Sequence, residues 1–585
     1  MELRIYTFYK KMSDKRIYRI ISGILFLLLL LWMSFCRVNR GMDITDSTYS
    51  LTNFIFADKM DGMWYYSTFY ANLLGSLMVR LPLGNTLLGM NVYTGFIRFL
   101  IGLLVYLFFT YEVKISRELS FIGSFIAVAF CWCPTTILYN YLTYLFFFLG
   151  AAFLYKGLTK EEKSSLIIAG FFLGTNFFVR LPNVSEAALI VALWIYSVLK
   201  REKFRKCFIK TLWCILGYVI AFIPGAVLIA VTRGFDAYIT GIKELFSMTD
   251  ESASYSPVAM VMDTARAYIR GWQWDEIAIF MMILCTLAFL VFPAKLTWLK
   301  YASSTAVTAL FVFLLYRKNL FDVNIYYHAA IYRSGALLLA IALVWFLGVF
   351  VGRKSSDDEK LLAAIALIVI VITPLGSNNQ IYSNINNFFF VLPSFLYFVF
   401  RFVSGNEYFR GVRWSVFLLT LVIGLYAMIV SYSASFRDGL DGRMVCSVNN
   451  NPVVKGMKTS ESNAKCLEEL FDLWDDKDLG GSKVLLYGNV SGLGFYLNAE
   501  PAISTAWPSL ASFSTEKFEN DMKTLDAFMK EKGETAPVVI IGQEEIPGLL
   551  STEPVRKQEI LKKFLEDNDY YVEYDNERFS VYLKR

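Results

Sequence analysis

Histidine is almost absent from this chain of 585 residues: His328 is the only one. That excludes a multi-histidine metal centre. Charge is scarce too. Asp, Glu, Lys and Arg together make up 18% of the residues, where a soluble domain carries about 25%. Hydrophobic residues reach 56% and aromatics 17%, which excludes an ordinary cytosolic enzyme, a disordered scaffold and a coiled coil. The formal charge of +6 is small for this length and gives no ground for nucleic-acid binding. No internal repeat or low-complexity segment stands out. The eight cysteines are spread thinly, six of them in or beside apolar runs, where cysteine serves as a small buried apolar residue.

What the sequence has in quantity is apolar runs near membrane-spanning length. They fall around 20–36, 86–110, 119–133, 137–155, 165–179, 187–199, 208–232, 275–293, 301–316, 335–352, 361–373, 387–403 and 414–432. This predicts an α-helical polytopic membrane protein with about 13 spans. The first run lacks a small-residue cleavage site and follows Lys10, Lys11, Lys15, Arg16 and Arg19, so it reads as a signal anchor. Alternation then assigns 112–118, 156–163, 200–206, 294–300, 353–360 and 404–413 to the cytoplasm. All carry basic residues, with the densest cluster at Lys200, Arg201, Lys203, Arg205 and Lys206. The runs at 165–179 and 187–199 are short for a ~30 Å core and could form a half-penetrating hairpin. The expected order is a cytoplasmic N-terminus (1–19), a membrane domain (20–432) whose first outer loop is 37–85, and an outer domain (433–585). The location implied is a bacterial-type plasma membrane.

Beyond Ser433 charges become frequent and apolar runs shorten. Lys483–Gly488 and Pro537–Gly542 read as buried strands, Lys517–Lys532 and Glu553–Glu566 as helices, and Tyr570–Leu583 as two strands turning at Asp575–Glu577. The tail is therefore expected to be a small α/β domain. Cys446 and Cys466, the two cysteines in it, could pair in an oxidising exterior or be unrelated thiols. Gly488–Gly494 lacks the Gly-x-Gly-x-x-Gly order and reads as a strand-to-helix turn rather than a phosphate loop.

The first outer loop holds Asp43 and Asp46 a few residues past the first span, so it brings two carboxylates to the membrane surface. At i and i+3 they could share a helix face, or be solvated loop acids. Further on, Met63–Val79 could lie in the membrane interface as an amphipathic helix ended by Pro82. An acidic motif after the first span, an interfacial helix, 11–13 spans and a C-terminal outer domain together resemble the GT-C fold of membrane glycosyltransferases. That group includes protein O-mannosyltransferases and aminoarabinose transferases. Bacterial relatives often carry Asp-Glu-x-Tyr-Tyr in this loop. Asp46-Ser47-Thr48-Tyr49 is the nearest match, with Ser47 where the second acid would stand. The resemblance implies Asp46 as the catalytic residue, with Asp43 assisting it. It also implies a polyprenyl-phosphate-linked sugar donor and an extracytoplasmic acceptor: a glycan, lipid or protein. No cofactor is required; an oxygen-coordinated Mg²⁺ or Mn²⁺ at Asp43 and Asp46 is conceivable.

Such chemistry needs a base for the acceptor hydroxyl and fixed donors for the leaving lipid phosphate. Arg180 and Asn183 follow the 165–179 run, where Arg180 could bind phosphate or snorkel to the interface. Arg98 lies inside the second span, as an ion pair with another span or as a substrate contact. Arg80 precedes Pro82, where snorkelling is the default. Tyr139 and Asn140 follow the turn at Cys133–Thr136 and could meet sugar hydroxyls or each other. The loop 373–387 carries five asparagines including Asn384 and Asn387, one glutamine and no charge, which suits polyol recognition or backbone turns. His328 and Arg333 lie in a further outer segment; a lone loop histidine is more often structural. The alternatives to a glycosyltransferase are a glycolipid transporter or flippase, and a non-enzymatic membrane assembly protein of cell-envelope glycan synthesis. Transport would favour repeats that are not seen.

Overall fold

The computed structural model describes residues 16–133, 136–247, 257–321, 329–375, 380–401, 407–433, 435, 437–438, 444–510, 512–531, 535–543 and 555–585. It is a multi-pass helical membrane protein with a C-terminal α/β unit. Every one of the 13 apolar runs coincides with a helix. Among the described residues, nine helices are long and apolar enough to cross a membrane. The other four, Arg117–Phe130, Lys163–Val179, Asp357–Ile372 and Val391–Arg401, have 14, 17, 16 and 11 residues. At 1.5 Å per residue they rise only about 17–26 Å, short of a ~30 Å hydrocarbon core. Large apolar side chains such as Ile24, Leu28, Ile223 and Phe280 stay exposed along the helices. A membrane, not water, is the medium in which such surface is stable.

Helices Lys163–Val179 and Phe204–Thr232 approach most closely through small residues. A β-carbon on Gly170 would stand 1.9 Å from the Cys214 carbonyl oxygen, and one on Gly217 would stand 1.8 Å from that of Ile167. Close backbone contact of this kind drives helix association where lipid removes the hydrophobic incentive.

The tail forms a four-stranded sheet in the order β1-β2-β4-β3, from Val484–Tyr487 (β1), Val538–Gly542 (β2), Tyr570–Asp575 (β3) and Phe579–Lys584 (β4). β1 and β2 are parallel, while β4 is antiparallel to both β2 and β3. Alternation sends Val484, Leu486, Val538 and Ile540 to one face, with Leu467 and Trp474 of helix Glu461–Asp476. It sends Leu485, Tyr487 and Val539 to the other, with Phe518 and Leu561 of helices Thr515–Glu531 and Val555–Asp567. The first of these cores continues into the membrane part through Ile44, Leu51 and Phe54 of the first loop and Leu138, Leu142 and Val179 at helix ends. The α/β unit therefore sits on one end of the bundle, with the first loop between them.

Two expectations about local structure change. Residues 63–79 form two short helices, Gly62–Ser67 and Phe69–Met78, and the second ends before Pro82. Cys446 and Cys466 do not pair: both are free thiols. Cys446 sits in a bridge to Thr459, whereas Cys466 is inside helix Glu461–Asp476 with Sγ 3.9 Å from Glu577 Oε1.

Candidate functional site

Asp43 and Asp46 do not share a helix face. Asp46 opens helix Asp46–Ile55, and Asp43 lies ahead of it. The Asp43 carboxylate turns back on its own chain: Oδ1 accepts from the Thr45 N–H (2.8 Å) and hydroxyl (2.5 Å), and Oδ2 from the Ser47 N–H (2.9 Å). This is the local bonding by which Asp starts a helix. Burial pushes the Asp43 carboxyl up from its ordinary range, and the neighbouring Asp46 charge adds to that, against the donors of Thr45 and Ser47. Asp43 thus sets the entrance of the helix. Asp46 is the open acid, its side chain 32% exposed and ion-paired with Arg437 at 2.8 Å. Arg437 holds φ at 49°, the left-handed region that costs a non-glycine residue about 1–2 kcal/mol. Such strain concentrates where a side chain must be aimed.

The seam around this pair is tightly knit. The Gly492 N–H donates to the Ile44 carbonyl at 2.7 Å, and the Tyr496 hydroxyl donates to the Asp43 carbonyl at 3.0 Å. A β-carbon on Gly492 would fall 1.7 Å from Thr48 Oγ1. The 488–494 segment is thus a strand-to-helix turn, and its glycine lets the α/β unit close onto the first loop. On the other side Gly41, at φ 92°, donates to the Lys458 carbonyl at 2.8 Å, and Arg40 Nη1 donates to the Tyr432 carbonyl at 2.6 Å. Asp61 caps helix Gly62–Ser67 and pairs with Lys517, which also reaches Glu244 at 3.1 Å.

The turn between helices Arg117–Phe130 and Leu138–Thr159 joins the other candidates to Asp46. The Thr136 hydroxyl donates to the Ser47 carbonyl at 2.7 Å, next to Asp46. Three residues on, the Tyr139 ring lies under the Arg180 guanidinium, 5.5 Å from ring centre to Cζ. Arg180 is half-buried at the end of helix Lys163–Val179. Asn183 faces inward, donating to Thr143 Oγ1 (2.8 Å) and the Asn176 carbonyl (3.0 Å). Asn176 in turn donates to Glu186 Oε2 at 2.7 Å. Asn183 therefore belongs to a buried polar knot that holds the segment bearing Arg180.

On the remaining side of the turn, the Trp132 N–H donates to Asn386 Oδ1 at 2.9 Å. Among the described residues this asparagine ties the amide-rich loop to the turn, and sequence reasoning passed over it in favour of Asn384 and Asn387. Asn387 bonds Thr373 Oγ1 at 3.4 Å. Asn384 is buried, and its Nδ2 has no acceptor among the described residues. Asn140 is half-buried beside Tyr139.

The other candidates lie elsewhere. Arg80 is exposed among exposed Leu77, Leu81 and Leu83, as a snorkelling side chain would be. Arg333 Nη1 donates to the Asn319 carbonyl at 2.9 Å, closing the end of helix Thr297–Arg317. His328 lies outside the described residues. Arg98 is 2% exposed and donates to the Met33 carbonyl at 2.5 Å, a structural role. A second buried arginine, Arg37, donates to the Cys131 carbonyl at 3.1 Å beneath the same turn.

Sequence reasoning missed Arg437, Glu186 and Arg37. Arg437 lies nearly 400 positions from Asp46, and no spacing rule links them. Among the described residues no three His, Cys, Asp or Glu side chains are grouped to hold a metal ion. Both Asp43 oxygens are engaged by donors of its own loop, so Asp43 and Asp46 do not turn their oxygens to a shared point.

No protein-family model and no curated protein matches the chain. Solved structures similar to it include an oligosaccharyltransferase from Archaeoglobus fulgidus in complex with Zn and sulfate. There the identity is 13% and the TM-score 0.46, over 88% of this chain and 68% of that one. The same oligosaccharyltransferase tethered to an acceptor peptide gives 12% and 0.46, over 98% and 74%. ArnT from Cupriavidus metallidurans in the apo state gives 10% and 0.43, over 96% and 97%. Function is therefore read from the site's own residues.

Proposed function

We propose that the chain is a membrane glycosyltransferase that moves a sugar from a polyprenyl-phosphate donor to an acceptor hydroxyl on the outer side of a plasma membrane. The observation that carries this reading is the Asp46–Arg437 pair. It is a partly open carboxylate at a helix start, paired with a strained arginine, on the seam between membrane bundle and α/β unit. Asp46 takes the proton of the acceptor as the acceptor atom bonds to the anomeric carbon. The bond from that carbon to the lipid phosphate breaks, and the phosphate leaves with the electron pair. Arg180, backed by Tyr139, is suited to receive the charge that grows there. Asn384 offers an uncommitted amide to sugar hydroxyls. Acids and cations at one end of the bundle also fit a donor whose phosphate lies at membrane depth and whose sugar lies above it.

The test has two steps. Native mass spectrometry of the detergent-purified protein identifies any co-purified polyprenyl-phosphate sugar. Transfer from that donor is then measured for wild type and Asp46→Asn. Loss of a positioned general base lowers the rate by about 10²–10⁴-fold, and the asparagine amide oxygen still accepts from Arg437, so the thermal midpoint is expected to stay close to wild type. Transfer at the wild-type rate in Asp46→Asn would sink the assignment.

A further inference from the structure

The end of the bundle away from the α/β unit carries a basic cavity. Helix Leu138–Thr159 starts in the core shared with that unit and runs 22 residues, about 33 Å, to the opposite end. There, between the start of helix Lys163–Val179 and the start of helix Phe204–Thr232, lies a cavity of about 340 Å³. Its lining is strongly basic. Two of the cations are committed: Lys206 pairs with Glu161 and Glu202 at 2.7 and 2.8 Å, and Lys210 with Glu202 at 2.8 Å. Three more, Lys163, Lys203 and Arg205, line the same cavity without a carboxylate partner among the described residues.

Further features of this cavity point to a phosphate group. Trp213 lines it, and its Nε1 is a buried donor with no acceptor among the described residues. Lys163 stands 5.8 Å from the Trp213 ring, which orients both groups at the cavity. The 29-residue helix Phe204–Thr232 begins here at Lys203, and no side chain caps its first N–H groups. A long helix with an uncapped start adds partial positive charge to the same space. Immediately beyond the rim the same helix exposes Phe204 (83%), Phe208 and Leu212 to the membrane. An anion with apolar chains fits this junction of basic cavity and lipid-facing helix better than a free ion does.

We propose that this cavity binds the phosphodiester headgroup of an anionic phospholipid, with the acyl chains lying along Phe208 and Leu212. The glycine-packed contact of the two helices holds the two walls of this half-open cavity at a fixed spacing.

The experiment uses the full chain, delipidated in detergent and titrated with dioleoyl-phosphatidylglycerol or dioleoyl-phosphatidylcholine. Native mass spectrometry reads the bound lipid. One phosphatidylglycerol per chain is expected at concentrations where phosphatidylcholine is not retained. The triple variant Lys163→Gln, Lys203→Gln, Arg205→Gln changes only exposed side chains, and should weaken that binding roughly 10–100-fold. Lys523→Gln, on an exposed helix of the α/β unit, should leave it unchanged. Equal retention of both lipids, or unaltered phosphatidylglycerol binding in the triple variant at wild-type thermal midpoint, would overturn the proposal. Displacement of the lipid by glycerol phosphate at equal concentration would overturn the lipid as the source and leave a soluble phosphate in its place. None of these outcomes depends on transferase activity, so this site and the proposed reaction stand or fall separately.

Discussion

Asp43 and Asp46 are three residues apart and chemically the same, yet their surroundings give them different work. Asp43 spends its oxygens on the Thr45 and Ser47 N–H groups and the Thr45 hydroxyl. Asp46 meets Arg437 and solvent. Asp43→Ala is therefore expected to cost about 0.5–2 kcal/mol of stability, the usual loss for a helix-start cap, seen as a lower thermal midpoint. Asp46→Asn is expected to act on rate instead. A pair of variants in which Asp46→Asn lost stability and Asp43→Ala kept it would reverse the assignment. The Asp43 oxygens are engaged by the N–H and O–H donors of Thr45 and Ser47, and Asp46 is paired with the Arg437 guanidinium, so the two acids are not arranged to chelate a cation together. Chelation with EDTA is accordingly expected to leave transfer unchanged, and a rate that collapsed and returned with Mg²⁺ or Mn²⁺ would refute this.

At the scale of elements, the short turn after helix Arg117–Phe130 gathers the first loop through Thr136, the amide-rich loop through Trp132, and Arg37 through the Cys131 carbonyl. The helix has only 14 residues, so the turn sinks below the level a full span would reach. The opposite wall is the glycine turn of the α/β unit. Gly492→Ala would drive a methyl group into Thr48 and against the Ile44 backbone, 2.9 Å away. Backbone cannot yield as a flexible side chain can, so the expected loss is about 1–3 kcal/mol. Limited proteolysis should show faster cleavage around residues 444–460 if the α/β unit loosens. Unchanged protection would mean that the seam is not held at Gly492.

For the whole molecule, the contact between the bundle and the α/β unit includes one buried carboxyl that titrates. Asp438 is fully buried and accepts from the Thr459 hydroxyl (2.5 Å) and from Asn463, whose amide also donates to the Met42 carbonyl (3.1 Å). Burial pushes its pKa up to about 7 from an ordinary 3.8. The folded protein therefore keeps this proton at pH values where the unfolded chain has released it. Stability from this group is complete below about pH 4 and is lost as pH rises to about 7, by at most about 1.4 kcal/mol per pH unit. Above that it is flat. Asp438→Asn keeps an acceptor and removes the titration. Its thermal midpoint should gain on wild type steadily between pH 4.5 and 7, and parallel curves over that range would show that Asp438 does not titrate there.

The membrane class, the positions of the helical runs and all four strands of the tail were legible in the sequence. Each depends on periodicity and apolar run length, which are local properties. The acid-bearing first loop was legible for the same reason, since its position follows from where the first span ends. The ranking of Asp46 over Asp43 came from the family resemblance, but the physical reason was not legible: Asp43 turns back on Thr45 and Ser47, and Asp46 is paired with Arg437, a contact between segments about 400 residues apart. Nor was the choice of Asn386 over its neighbours, because within a run of asparagines only the packed turn decides which amide meets Trp132. The basic run at 200–206 announced its charge in the sequence. Only the packing of two helices against each other separated the cations neutralised by Glu161 and Glu202 from those left facing a cavity. Sequence specifies which groups exist and which medium surrounds them; their effective charge and reach are set by burial and by partners, and those belong to the tertiary structure.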